Sequence, residues 1–383
     1  MLFSPVTLLV GLLHGYIGWR LLPSLAPWPW AQALLVVFLV ASAVIMPMGF
    51  AARRSGKSRR RLAALLTWSS LLFMGAFSSL FVLTLLRDVL LLAAALVLAI
   101  APAAFAMSTL QDTSGIAVPL LASVVTIWGF VNARRTAAVV AVDVPIRGLP
   151  PALHGFTIAQ ISDIHIGPTI KRDYLSAIVA KVNRLGADMV AVTGDLVDGS
   201  VPELARHVAP LAQLESRHGT YFVTGNHEYY SGAAAWIAEL RRLGVRVLMN
   251  EHVLLRHGTG ALLVAGVPDY SAHHFDPAQR SDPAAAIAGA PQDAAVKLLL
   301  AHQPRSAEAA ADAGFDLQLS GHTHGGQFLP WNFFVRLQQP FTAGLHRLRN
   351  LWVYTSRGTG YWGPPKRFGA PSEITRLRLV PAV

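Results

Sequence analysis

The chain has 383 residues, of which 53% are hydrophobic and 14% charged, and its formal charge is +11. It contains no cysteine, which excludes disulfides and thiolate metal sites, so any metal must be held by His, Asp, Glu, Asn or backbone oxygen. The surplus of Lys and Arg does not point to nucleic acid, because many of these residues stand in short runs beside apolar segments, the placement that orients membrane spans.

Five stretches in the first third are apolar and long enough to be read as spans: residues 2–19, 30–50, 62–86, 89–107 and 115–131. Arg87 and Asp88 divide the third from the fourth. No basic segment precedes Leu2 and further apolar stretches follow it, so a multi-span anchor is expected rather than a cleaved signal peptide. Trp19, Trp28, Trp30 and Trp128 lie near span ends, as interfacial aromatics do. His14 is nearly alone as an ionisable group inside a span, too little for an ion or substrate pathway, so residues 1–135 read as an anchor. The densest basic cluster, Arg53, Arg54, Lys57, Arg59, Arg60 and Arg61, falls between the second and third spans, and the positive-inside rule puts it in the cytoplasm. Five spans then place residues 136–383 on the outer side of a cell inner membrane, against the pull of Arg134 and Arg135.

The remainder alternates strands and helices. Strands are expected at 139–144, 156–161, 188–193, 220–223, 245–249, 261–267, 296–300 and 316–319, and helices at 172–185, 202–214, 233–243 and 281–290. Five strands run into polar clusters: Ser162-Asp163-Ile164-His165, Gly194-Asp195-Leu196-Val197-Asp198, Thr224-Gly225-Asn226-His227-Glu228, Ala301-His302-Gln303-Pro304 and the run SGHTHGGQ from Ser320 to Gln327. Groups delivered at the C-terminal ends of strands can converge on one rim of a sheet. In the last cluster His322 and His324 are two apart, a spacing that sends both rings to one side of an extended segment. Gly321, Gly325 and Gly326 permit positive φ and close approach. A lone histidine pair would read as a surface turn; the four clusters upstream turn the balance to a metal site.

The order D-x-H, G-D-x-x-D, G-N-H-E, a lone histidine and G-H-x-H resembles the calcineurin-like metallophosphoesterases over about residues 157–327. The end of the chain, with Ser356-Arg357-Gly358, Gly363-Pro364-Pro365 and Gly369-Ala370-Pro371, is similar to the membrane-associated bacterial branch of that family. The expected fold is α/β, a two-sheet sandwich flanked by helices and preceded by an all-α transmembrane region; a single doubly wound sheet is the alternative. The resemblance implies one metal on Asp163, His165, Asp195 and His324 and a second on Asp195, Asn226, His302 and His322, with Asp195 bridging. It also implies that His227 is catalytic; the competing role for this residue is a structural hydrogen bond.

Charge accounting agrees with that assignment. Two carboxylates and a hydroxide leave the charge of two dications not fully neutralised, so the pocket stays attractive to phosphate. Nitrogen and oxygen ligands suit Mn, Fe, Zn or Mg, and the share of histidine weighs against Ca. Two ions about 3.5–4 Å apart can generate a bridging hydroxide near neutral pH and clamp an in-line displacement, with no Ser or Cys nucleophile. Asp198 is expected to order its loop, and Glu228 to orient His227 or cap a helix. Arg357 has two open roles, contact with substrate phosphate or a structural ion pair. His273 and His274 are read as solvated, as are His154, His207, His218, His252, His257 and His346.

Residues 328–335, FLPWNFFV, hold four aromatics beside the metal loop and either cap the edge of a sheet or form a lipid-facing lip. The reading is a membrane-anchored metallophosphoesterase acting on a phosphodiester or pyrophosphate, a lipid-linked one included. The alternative is a transporter or sensor whose soluble part binds metal or phosphate without catalysis.

Overall fold

The computed structural model describes residues 5–55, 60–291 and 294–382; Lys57 and Arg59 of the basic cluster lie outside them. The chain divides into two compact units, Met1–Val131 with Gly363–Lys366, and Asn132–Trp362 with Arg367–Val383.

The first unit is built from α1 (Pro5–Leu21), α2 (Pro29–Ser55), α3 (Arg60–Ile100) and α4 (Met107–Arg134), whose last turn belongs to the second unit. Among the described residues three helices, α2, α3 and α4, are long and apolar enough to cross a membrane. The expected third and fourth spans are one helix. Arg87 and Asp88 do not break it because neighbours satisfy them. Asp88 accepts from Arg20 Nε at 2.9 Å, Arg20 Nη2 at 2.8 Å and Tyr16 Oη at 2.6 Å, while Arg87 donates to Ser114 Oγ and to the Gln111 and Arg20 carbonyls. A continuous helix of 41 residues makes one candidate span, so one stands where two were expected. His14 is buried against Phe77, with Nε2 2.9 Å from Ser42 Oγ.

The second unit runs β1 (Ala138–Ile146), β2 (Thr157–Ile161), α5 (Arg172–Asn183), β3 (Met189–Val192), α6 (Val201–Val208), β4 (Thr220–Phe222), α7 (Asn226–Ser231), α8 (Ala233–Arg242), β5 (Arg246–Val247), β6 (Glu251–His257) and β7 (Gly260–Gly266). It continues through α9 (Pro283–Ile287), β8 (Val296–Leu300), α10 (Ala307–Asp312), β9 (Leu317–Ser320), α11 (Asn332–Val335), β10 (Gly344–Leu348), β11 (Leu351–Thr355) and β12 (Glu373–Pro381). Two six-stranded sheets result, ordered β1-β12-β2-β3-β4-β5 and β10-β11-β9-β8-β7-β6. The expected two-sheet sandwich is what the structure contains, not a single sheet. Four strands lie outside the sequence expectation, β6, β10, β11 and β12. β12 enters between β1 and β2, parallel to the first and antiparallel to the second.

Strand alternation explains the layers. Ile158, Met189, Leu262, Val264, Leu298 and Leu300 fill the space between the sheets, while the intervening Ala159, Ile161, Val190 and Val192 turn outward to a core shared with Ile178, Val182 and Trp236 of α5 and α8. Leu263, Ala265, Leu299 and Ala301 pack with Ala286 and Ala310 on the far face of the second sheet. Strands covered on both faces read as unbroken apolar runs, which is why β3 and β8 were legible. Burying each such Leu, Ile or Val contributes about 1.5–3 kcal/mol. That rigid double layer fixes the strand ends.

Candidate metal centre

Every expected site residue lies just past the C-terminal end of a strand. Asp163 and His165 follow β2, Asp195 follows β3, Asn226 and His227 follow β4, His302 follows β8, and His322 and His324 follow β9. Three strands come from one sheet and two from the other, so the cluster straddles the top of the sandwich. The backbone there is strained: Asp163, His165, Asp195, His322 and His324 all have φ between 51° and 69°, a region that L-residues enter at a cost of roughly 1–2 kcal/mol and that collects at functional sites. Glycines are required around them. A Cβ on Gly225 would come within 2.2 Å of Asp195 Oδ1, and one on Gly321 within 2.2 Å of Asp163 Oδ2.

Three groups among the described residues bring ligand atoms within 4.8 Å of one another: Asp163, His165 and His324; His165, Asp195 and His227; and Asp195, His302 and His322. Asp195 and His165 each belong to two groups. His165 Nε2 faces His324 Nε2 at 3.0 Å, His302 Nε2 lies 3.2 Å from Asp195 Oδ2, and His322 Nδ1 lies 3.3 Å from His302 Nε2. Imidazole nitrogens so close together are in need of a common electrophile. Asn226 Oδ1 is buried with no hydrogen-bond partner among the described residues, an acceptor awaiting a cation. With two buried carboxylates, an orphaned amide oxygen and clustered imidazoles, the donor set fits borderline divalent ions.

The outer nitrogens set the tautomers. His302 Nδ1–H donates to Thr193 O at 2.7 Å and His165 Nδ1–H to Asp198 Oδ1 at 3.1 Å, so both rings present a lone pair on Nε2. His324 differs: the buried Arg367 donates through Nη2 to its Nδ1 at 2.9 Å, which puts the neutral ring's proton on Nε2. His227 Nδ1–H donates to Asp198 Oδ1 at 2.6 Å, leaving Nε2 as the nitrogen able to work, and its ring is flanked by the exposed rings of Tyr230 and Trp362 at 5.3 and 5.7 Å.

Charges are interlocked. Burial opposes ionisation of Asp195, but His302 and His227 beside it hold the carboxyl well below its ordinary range, and Asp195 in turn raises His302. Burial and the charge of His302 lower His322 to about 3. Burial also disfavours the cation of His227, yet Asp195 and Asp198 outweigh it and push the group up to about 9. Burial and the neighbouring Asp195 raise Glu228 to about 8.

The secondary residues have specific places. Asp198 does more than order its loop, since one oxygen accepts from both His165 and His227. Glu228 does cap α7, accepting from Gly225 N at 2.6 Å, and it also accepts from Asp195 N at 3.0 Å and Leu196 N at 2.8 Å, fixing the loop that carries Asp195. Arg357 forms the ion pair, with Nε 2.6 Å from the buried Glu373 Oε2. Arg367 was not singled out in the sequence, where an isolated arginine among glycines and prolines gives no signal. His273 and His274 lie with their rings tilted by 41° and their centroids 4.0 Å apart, and they stand outside the three groups, as do His154, His207, His218, His252, His257 and His346.

Two stacked mixed sheets with this carboxylate and imidazole cluster at their strand ends define a phosphoesterase-type metal centre, and the chain belongs to the calcineurin-like phosphoesterase family, whose profile matches residues 156–326. Similar proteins include a "Transmembrane protein with metallophosphoesterase domain" of Bos taurus, 42% identical over 72% of this chain and 65% of the relative, and its namesake in Danio rerio, 37% identical over 68% of this chain and 61% of the relative. A "Putative metallophosphoesterase" of Caenorhabditis elegans is 30% identical over 91% of this chain and 73% of its own length. The matches to the first two thus span somewhat less than two thirds of those relatives.

Proposed function

We propose that the protein is a membrane-anchored, dinuclear metal-dependent phosphoesterase acting on a phosphodiester or pyrophosphate. The observation that carries this reading is the pairing of two three-residue ligand groups with an imidazole, His227, that is oriented by Asp198. A structural metal site would have no use for the last element. Asp163, His165, Asp195 and His324 would hold one ion and Asp195, Asn226, His302 and His322 the other. When bound, such a pair supplies Lewis acidity toward phosphoryl oxygens and acidifies water to a nucleophile near neutral pH; Mn, Fe or Zn suits the donors best, and Mg is compatible.

The chain's own groups supply the rest. His227, with Nδ1 held by Asp198 so that the ring does not turn, is placed to donate from Nε2 to the departing oxygen. Glu228 holds the Asp195 loop against the pull of a cation through backbone N–H groups. Arg367 braces the ring of His324.

Topology follows from the helix count. Outward placement was expected from five crossings; with α3 and α4 each taken as one crossing after the basic cluster, the positive-inside rule favours the cytoplasmic face for the domain. Arg134 and Arg135 agree with this side.

The test uses full-length protein with added Mn²⁺ or Zn²⁺ and an aryl phosphodiester. Hydrolysis is expected, and His227→Ala should lower kcat by about 10²–10⁴-fold with metal content unchanged. Two bound metals without hydrolysis would refute the enzyme; loss of metal in His227→Ala would make that residue a ligand.

A further inference from the structure

The segment that leaves the metal loop is unusually apolar for a surface. Leu329, Phe333, Phe334 and Leu337 are 44%, 65%, 55% and 81% exposed, on a short stretch centred on α11. Exposed large apolar side chains this closely grouped mark an interaction surface. Its attachment is rigid. A Cβ on Gly326 would come within 2.2 Å of the Asn332 Cα, so the metal loop and α11 are in direct backbone contact, and Leu329 N donates to Phe368 O at 2.9 Å while its side chain covers Gly369. Whatever receives these side chains is therefore held at a fixed distance from His324.

Charge identifies the occupant. Between Leu317 and Ser372 there is no Asp or Glu; of the basic residues there, Arg349 pairs with Glu308 and Asp312, Arg357 with Glu373, and Lys366 and Arg367 are buried, which leaves Arg336 and Arg347 as the exposed cations to consider. Arg336 is exposed within the apolar stretch, and the exposed Arg305 abuts its end, donating from Nε to Gln338 O at 2.6 Å. Apolar tips beside the exposed Arg336 and Arg305 complement an anionic bilayer surface, where the tips enter the acyl boundary and the arginines meet headgroups. A bilayer is at hand, since the same chain carries helices able to cross one.

We infer that residues 329–337 are a membrane-dipping lip that seats the metal centre at the headgroup level of an anionic bilayer. If the phosphoesterase reading holds, on which this consequence alone rests, the substrate class is a phosphoester or pyrophosphate carried on a lipid, presented from the bilayer rather than from solution.

The lack of cysteine makes the lip directly measurable in the intact protein. Phe333→Cys and Leu337→Cys are spin-labelled in full-length protein reconstituted in nanodiscs of phosphatidylethanolamine and phosphatidylglycerol, with Arg242→Cys on α8, 66% exposed, as the aqueous reference. Collision with lipid-soluble oxygen should exceed collision with a water-soluble nickel chelate at 333 and 337, and the order should reverse at 242. Nickel-dominated collision at 333 and 337 overturns the inference, and so does shielding from both reagents, which would signify a protein occupant. The readout does not consult hydrolysis, so an inactive protein with lipid-exposed labels would sink the phosphoesterase reading and leave the lip standing.

Discussion

Asp198→Asn separates the two duties that one carboxylate oxygen performs. Asp198 Oδ1 accepts from His227 Nδ1 at 2.6 Å and from His165 Nδ1 at 3.1 Å. Burial works against the His227 cation, and Asp195 and Asp198 overcome it to give a pKa of about 9. Cations bound to Asp195 would cancel the first of those attractions, which makes Asp198 the carboxylate that sustains the proton. Asparagine keeps the shape and an acceptor but removes the charge. A hydrogen bond to a charged group is worth about 1.5–3 kcal/mol, and at about 1.36 kcal/mol per pH unit its loss should lower the pKa of His227 by about 1–2. A general acid must be protonated, so turnover declines as pH rises through this value, and the alkaline limb of kcat moves to lower pH in the variant. His165 loses its orienting partner as well, and the metal it serves should bind about 10–100-fold more weakly. The assay is kcat against pH at saturating metal, beside a metal titration. An unmoved alkaline limb together with unchanged metal affinity would show that the shared acceptor does neither job.

Two further perturbations probe the scaffold. Gly321→Ala places a methyl 2.0 Å from Ser162 Oγ and 2.2 Å from Asp163 Oδ2, so Asp163 must move; metal affinity should drop about 10–100-fold with circular dichroism unaltered, and full affinity in the variant contradicts the packing. His218, whose Nε2 lies 3.1 Å from His257 Nδ1, has a lowered pKa because of burial and then the charge of His257. A depressed histidine favours the fold while neutral, so its contribution is present above the ordinary value of 6.5 and is lost as pH falls below it. The thermal midpoint of full-length protein should therefore decline less on acidification in His218→Asn than in the parent; identical declines would remove His218 as a contributor.

The sequence by itself determined which polar residues end the apolar runs. Asp163, His165, Asp195, Asn226, His302, His322 and His324 were legible because each follows an apolar run, and a strand covered on both faces must be continuous in apolar residues and must end where polar ones begin. The same pattern left a single doubly wound sheet open, and the two-sheet sandwich was the expectation that went with the family resemblance. What escaped was whatever local patterning cannot encode. β12, at the end of the chain, is drawn into the first sheet between β1 and β2 by pairing across more than two hundred residues, and its alternating Thr375, Arg376, Leu377 and Arg378 carries no address for that slot. Arg87 and Asp88 look like a break between spans, and only the approach of Arg20 and Tyr16 lets the helix run through them. Asp198 could be seen as a member of a pattern, but its single oxygen shared between two imidazoles is a property of three loops meeting in space. Hydrophobic alternation is read along the chain, one residue at a time; a buried ion pair, a tautomer and a shared acceptor depend on distances between segments, and those exist only once the sheets have stacked.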